Sequence, residues 1–143
     1  MSLTRLQKVA LGVAGVTSLA IGAAILAVPH AFYASYGIAP GSDPGLLSEL
    51  RAPGAGLAGF GLVMLAGLVR GGPRQVAVTA ALTVFLAFPA GRLVGLALDG
   101  LPAPGILAAL ALELAIAALC LAAFRPRGRV APPAREGRGL ALR

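Results

Sequence analysis

The sequence predicts an all-α protein, a bundle of four transmembrane helices in which the second and third helices are kinked. Hydrophobic residues make up 58% of the 143-residue chain and charged residues only 12%, against about 25% charged in soluble domains. Four long apolar runs are separated by short segments containing glycine and proline. At 1.5 Å per residue, a helix of about 20 residues crosses the ~30 Å hydrocarbon core of a bilayer. The length favours a single domain, residues 9–124, in the membrane.

The first apolar run predicts a helix over residues 9–28, followed directly by Pro29. It is longer than the apolar core of about 7–15 residues in a secretory signal, so we expect a span and no cleavage. Small residues recur in it at every fourth position: Ala10, Ala14, Ser18 and Gly22. Such a stripe allows two helix backbones to approach closely in lipid.

A short aromatic segment follows at residues 29–37. Phe32, Tyr33 and Tyr36 are the residue types that collect at the depth of lipid headgroups. We therefore expect this segment to lie at the membrane interface.

The second helix is predicted over residues 44–69. Asp43 and Pro44 form a plausible N-cap and first-turn pair. Pro53 removes one hydrogen bond inside the helix, which predicts a kink there.

The third and fourth helices are predicted over residues 75–98 and 106–124, with a kink at Pro89. The short turn between them predicts an antiparallel hairpin. Four glycines are predicted to serve helix packing: Gly91 and Gly95, which match the GxxxG pattern, and Gly56 and Gly59 of the second helix.

Basic residues are unevenly distributed along the chain. Four spans would place both termini on one side, together with ten of the twelve Lys and Arg residues. The positive-inside rule then predicts cytoplasmic termini in the cell inner (plasma) membrane. These termini are residues 1–8 and a basic, disordered tail at residues 125–143. The net charge of +7 thus reflects topology and contact with membrane lipids. No nucleic-acid partner is expected, because the tail lacks interleaved aromatic residues.

Five charged residues lie in or beside the apolar runs: Glu49, Arg51, Arg92, Asp99 and Glu113. A charge at mid-bilayer costs roughly 2.5–3.5 kcal/mol, so we expect these side chains to share one polar layer. Arg92 and Glu113 each lie about 15 Å from the turn that joins their helices, which predicts an ion pair. Asp99 lies two turns from Arg92, and Glu49 and Arg51 are expected to close the cluster from the second helix. The predicted result is a polar pocket in the outer half of the bilayer.

Three readings of this cluster stay open: ion pairs that hold the helices together, a pocket for a ligand or lipid headgroup, and a catalytic or proton-relay site. His30 and Cys120 are the only His and Cys, so we expect no metal and no cofactor. No catalytic motif is present. The favoured hypothesis is a non-enzymatic membrane protein, either an accessory subunit of a membrane complex or a binder of a lipid-like molecule. Homo-oligomerisation is also open. The alternative is a membrane-embedded enzyme or a small-solute or proton transporter that uses Glu113 and Asp99.

The charged positions resemble those of a known family. The stretches SELRAPGAG at residues 48–56, GRLVGLALDG at residues 91–100 and LEL at residues 112–114 are similar to the bacterial four-helix membrane family of domain-of-unknown-function 4345. The resemblance covers residues 5–125. It implies a four-helix inner-membrane protein in which the five charged residues belong together, and it implies no particular activity.

Overall fold

The computed structural model describes residues 3–69 and 72–125, and all regular secondary structure in these ranges is helical. The predicted all-α class is therefore confirmed. Five helices follow one another: α1 (Arg5–Ala27), α2 (Pro29–Ala34), α3 (Pro44–Ala66), α4 (Arg74–Asp99) and α5 (Pro104–Ala123). The fifth element is α2, a six-residue helix within the segment predicted at the interface. The tail from residue 126 onward, predicted to be disordered, lies outside the described residues.

Side-chain caps set the starts of two long helices. Thr4 and Gln7 form a capping box, in which each side chain accepts a hydrogen bond from the other's backbone N–H. Because this box satisfies backbone donors that would otherwise be unpaired, α1 begins four residues before the apolar run. Asp43 Oδ1 accepts from the backbone N–H of Leu46 at 2.7 Å. The predicted N-cap of α3 is thereby confirmed.

Three helices, α1, α4 and α5, are long and apolar enough to cross a membrane. The fourth long helix, α3, has 23 residues but a less apolar composition. It carries Glu49, Arg51 and five glycines, and glycine contributes little apolar surface.

The closest helix contact joins α1 to α3. A Cβ atom built on Gly61 would lie 2.5 Å from the backbone nitrogen of Leu19, and one built on Gly22 would lie 2.5 Å from the carbonyl oxygen of Gly54. The two backbones therefore touch, and the pairing of late α1 with early α3 makes the helices antiparallel. The small-residue stripe predicted on α1 is buried at all four positions.

The glycines predicted to serve helix packing lie elsewhere. A Cβ built on Gly56, Gly59 or Gly91 would meet no atom within 4 Å, and one on Gly95 would meet only the Asp99 carboxylate at 3.7 Å. In the described part of the chain these positions make no close helix contact, so the packing role of the four glycines stays a prediction. At 3.6 residues per turn, Gly56 and Gly59 fall on the side of α3 opposite Gly54 and Gly61. In α4, Gly91 is exposed, and Gly95 lines a smaller cavity against α5.

The hydrophobic core occupies one end of the bundle. It joins the start of α1, the end of α3, the first half of α4 and the end of α5, and its largest fully buried side chains are Leu11, Met64 and Cys120. At this end Gln7 Nε2 donates to the carbonyl of Ala123 at 3.2 Å, which ties α1 to α5. The opposite end, which holds α2 and the α4–α5 turn, contributes few residues to this core and contains a cavity.

Candidate functional site

An ion pair between α4 and α5 stands at the edge of this cavity. Arg92 Nε donates to both carboxylate oxygens of Glu113, at 2.9 Å to Oε2 and 3.1 Å to Oε1. The Arg92 side chain is 31% exposed and the Glu113 side chain 12%. The pairing predicted from their equal distance to the turn is therefore confirmed. Within the described residues, Nη1 and Nη2 of Arg92 donate no hydrogen bond to the protein, so both are free to bind another molecule.

The cavity has a volume of about 460 Å³, within the range of roughly 300–1,000 Å³ typical of small-molecule sites. All five helices contribute to its wall. Most of the wall is apolar, and its larger aliphatic side chains are Ile21, Ile25, Ile38, Leu57, Val84, Ile106 and Leu112. A hydrocarbon chain placed here would gain dispersion contacts with this wall.

Aromatic side chains are concentrated around the cavity. The chain has five Phe and two Tyr, and five of these seven residues line it: Phe32, Tyr33, Tyr36, Phe85 and Phe88. The Phe32 ring lies edge-on to the rings of Tyr33 and Tyr36, with ring centroids 5.3 Å apart in both pairs. These three were predicted at headgroup depth, and in the structure they form one wall of the cavity.

The segment that carries these aromatic residues is held at both ends. Near its start, His30 Nε2 lies 2.7 Å from the carbonyl oxygen of Gly41. Near its end, the Tyr36 ring packs against Gly105 at the start of α5, where a Cβ would come within 3.2 Å of Tyr36 Cδ1. The segment thereby extends from the end of α1 to α5 across this end of the bundle.

The remaining polar side chains of the cavity are hydroxyls, which can donate and accept hydrogen bonds. Besides the ion pair, the cavity is lined by Thr17, Ser18, Tyr33 and Tyr36. Ser18 is 1% exposed, and its hydroxyl contacts the sulfur of Met64 at 4.0 Å. Burial raises the pKa of the Tyr33 phenol above its ordinary value. The phenol thus stays protonated at neutral pH and keeps its capacity to donate.

The remaining predicted site residues lie apart from the ion pair. Asp99 lines a second, smaller cavity of about 250 Å³ between α4 and α5, and Arg92 borders both cavities. Arg51 is exposed and donates from Nε to the carbonyl of Leu26 at 3.2 Å, one of the carbonyls left without a partner at the end of α1. Glu49 is exposed.

Neither Glu49 nor Arg51 lines the main cavity or bonds to the Arg92–Glu113 pair in the described part of the chain. The prediction that five charges gather in one contact cluster is therefore wrong for these two. Equal depth in the bilayer does not bring two residues together when their helix faces point in different directions. Among the described residues, no group of three or more His, Cys, Asp or Glu side chains is placed to hold a metal ion.

Two sets of cavity residues were missed by the sequence analysis, although the sequence contains a signal for each. Phe85, Phe88 and Arg92 follow one another at i, i+3 and i+7, so they share one face of α4. Thr17 and Ser18 are adjacent hydroxyl residues within an otherwise apolar run.

Comparison with known proteins bears on the family of the chain. No curated protein and no solved structure matches it significantly. One family model matches residues 6–124, which is most of the chain and all four long helices except the first residue of α1. The chain therefore belongs to the family described as Domain of unknown function (DUF4345).

Proposed function

We propose that this protein is a non-enzymatic, four-span membrane protein that binds a lipid-like amphiphile in the cavity beside Arg92 and Glu113. Three long apolar helices support a multi-pass membrane protein. The α3 helix runs antiparallel to α1 and is in backbone contact with it. If α1 spans the bilayer, α3 therefore spans it as well.

The proposed topology places both termini in the cytoplasm and the cavity in the outer half of the membrane. It rests on the positive-inside rule, since the basic residues near the start of α1 and α4 lie at the end opposite the cavity. In a bacterial cell this is the inner membrane.

Proline kinks would widen the bundle where the cavity lies. Pro53 of α3 lines the cavity, and Pro89 of α4 is buried close to the aromatic wall. Each removes an internal helix hydrogen bond. We propose that kinks at these two positions hold the cavity end of the bundle open while the other end is tightly packed.

One observation carries the functional proposal: an apolar cavity of about 460 Å³ has a single ion pair at its edge, and the arginine keeps two unused amino groups. This arrangement suits a molecule with an apolar body and a polar head. Asp99 lies in the second cavity together with Arg92, and Glu113 does not line that cavity.

The proposal is tested by filling the cavity. Ala109 lines it and Ala111, on the same helix, is exposed, so Ala109→Phe and Ala111→Phe form a matched pair. Organic extracts of the purified full chain are analysed by mass spectrometry for compounds present in stoichiometric amounts. We expect an amphiphile with the wild type and with Ala111→Phe, and its loss with Ala109→Phe. Equal retention by both variants would overturn the proposal.

An accessory role in a membrane complex is a second proposal, supported by the outward glycines of α3 and α4. A glycine that packs nothing inside the chain offers a close approach to another helix. Gly59→Leu should release a copurifying partner or a second copy of the chain, while the fold persists because no atom lies within 4 Å of a Cβ there. If native-membrane preparations of the wild type contain neither, the proposal fails.

The transporter or enzyme hypothesis has less support. Glu113 and Asp99 line different cavities, and both Glu113 oxygens accept from the same Arg92 nitrogen. Glu113 thus serves as the counter-charge of Arg92, and an unpaired charge is costly at membrane depth.

A further inference from the structure

The charges around the cavity restrict which head group it can hold, and this restriction rests on the proposed binding function. Among the residues that the structure describes, Arg92 and Glu113 are the charged ones that line the main cavity, and they neutralise each other. Asp99 shares the second cavity with Arg92. An anionic head beside Arg92 would therefore leave an excess negative charge in a medium of low dielectric constant. A cationic head would have to compete with Arg92 for Glu113. The cavity favours an uncharged head.

The hydrogen-bonding groups restrict the head further. Arg92 Nη1 and Nη2 can only donate, whereas the hydroxyls of Tyr33 and Tyr36, two residues that line the cavity, can donate or accept. The Glu113 oxygens already accept from Arg92 Nε. A buried donor without an acceptor costs free energy, so the matching head presents acceptor oxygens rather than further donors.

The aromatic wall restricts the shape of the head. Five of the seven aromatic residues of the chain line this one cavity, and such side chains favour a planar ring by offset stacking or edge-to-face contact. Phe88 lies about one turn and Phe85 about two turns from Arg92 on the same face of α4. A ring placed against them lies within reach of the guanidinium.

We propose that the cavity holds an uncharged lipid whose head is a planar ring bearing carbonyl oxygens, that is, a membrane quinone. The ring lies among the aromatic side chains, one carbonyl oxygen accepts from Nη1 or Nη2 of Arg92, and the hydrocarbon tail follows the aliphatic wall. No electron transfer is part of the proposal.

Three probes with alkyl tails of nearly equal length separate the features of the head. Decylubiquinone has a ring with carbonyl oxygens, decylbenzene has a ring without acceptors, and decanoate has an anionic head without a ring. Their binding to the full chain in detergent micelles is measured by isothermal titration calorimetry. We expect decylubiquinone to bind at least about tenfold more tightly than the other two, the equivalent of one well-placed hydrogen bond.

Two sets of variants test the proposed contacts of the quinone head with the ion pair and with the aromatic wall. Replacing both members of the ion pair, Arg92→Met with Glu113→Met, leaves no unpaired charge; it should weaken decylubiquinone about tenfold and leave decylbenzene unchanged. Phe88 lines the cavity and Phe60 does not, yet they are 40% and 44% exposed. Phe88→Leu should therefore weaken decylubiquinone, and Phe60→Leu should not.

The possible outcomes separate this inference from the proposed function. If decanoate binds most tightly, or if decylbenzene equals decylubiquinone, the quinone is excluded while an amphiphile site stands. If decylubiquinone binds equally well to the double variant, the assigned head position is wrong. If none of the three probes binds the wild type, both the quinone inference and the proposed amphiphile site are wrong.

Discussion

Gly22 and Gly54 face each other across the α1–α3 contact so closely that a Cβ on Gly22 would lie 2.5 Å from the carbonyl oxygen of Gly54. A side chain at Gly22 would require a backbone shift, and one at Gly54 would meet the Ile25 side chain, whose Cγ2 lies 2.6 Å from the Cβ position. The same closeness recurs about two turns away, where a Cβ on Gly61 would meet the α1 backbone at Leu19. This contact fixes α3 against α1 and thereby places Leu57 and Pro53 at the cavity wall.

Adding one methyl group at this contact should destabilise the fold. Gly61→Ala forces two backbones apart, and overpacking of this kind costs about 1–3 kcal/mol. Gly59→Ala is the matched control on the same helix, because its Cβ meets no atom and alanine has the higher helix propensity. SDS titration in mixed micelles, followed by far-ultraviolet circular dichroism, measures both. Equal stability of the two variants would show that α1 and α3 are not in backbone contact.

Removing the acidic partner of the Arg92–Glu113 ion pair should lower the free energy of unfolding. Glu113→Gln leaves Arg92 without a counter-charge. The loss should be about 2–3 kcal/mol, below the roughly 3–5 kcal/mol typical of fully buried pairs, because the Arg92 side chain is 31% exposed. The double variant Arg92→Met with Glu113→Met should recover most of this loss. If the double variant loses more stability than Glu113→Gln in the same unfolding assay, the predicted cost of the unpaired arginine is contradicted.

The start of α3 should depend on the Asp43 cap. Asp43→Ala removes the acceptor for the Leu46 N–H, at a cost of about 0.5–2 kcal/mol. Asp43→Asn keeps an acceptor oxygen and should be close to the wild type. A similar loss for both variants would assign the effect to the charge of Asp43 rather than to the cap.

Tyr33 should make the fold less stable in alkali. Its pKa in the folded protein is raised above the ordinary value of 10.0 by burial, so the folded state holds the phenol proton more tightly than the unfolded state. The contribution of Tyr33 is therefore complete below pH 10 and is lost as the pH rises through the folded-state pKa. Unfolding measured on both sides of pH 10 should show a smaller loss for Tyr33→Phe than for the wild type. An identical loss in both would contradict the burial of the phenol.

Local and pairwise features of this fold could be predicted from the sequence. The Asp43 cap depends on a few neighbouring residues, and the Arg92–Glu113 pair depends on two distances to one short turn. The small-residue stripe of α1 could be predicted because all four positions share one helix face.

The glycine contacts, the positions of Glu49 and Arg51, and the cavity could not be predicted. They depend on the direction in which each helix face points, which is decided by packing between distant segments. Gly56 and Gly59 are as small as Gly54 and Gly61, yet only the latter two meet α1. Glu49 and Arg51 lie at the predicted end of the bundle but away from the cavity wall. The cavity itself arises because the core fills one end of the bundle only, which no local pattern in the sequence encodes.

The most direct test of the amphiphile site is to locate where a bound probe reacts. The full chain in lipid nanodiscs is photolabelled with an amphiphile carrying a diazirine next to its head, and labelled peptides are identified by mass spectrometry. We predict saturable labelling on α4 around Phe85–Arg92 and on α5 around Ile106–Glu113, suppressed by an excess of the unlabelled amphiphile and by Ala109→Phe. Labelling confined to outward positions such as Phe60 and Ala111, unaffected by competitor, would contradict a binding site beside Arg92 and Glu113.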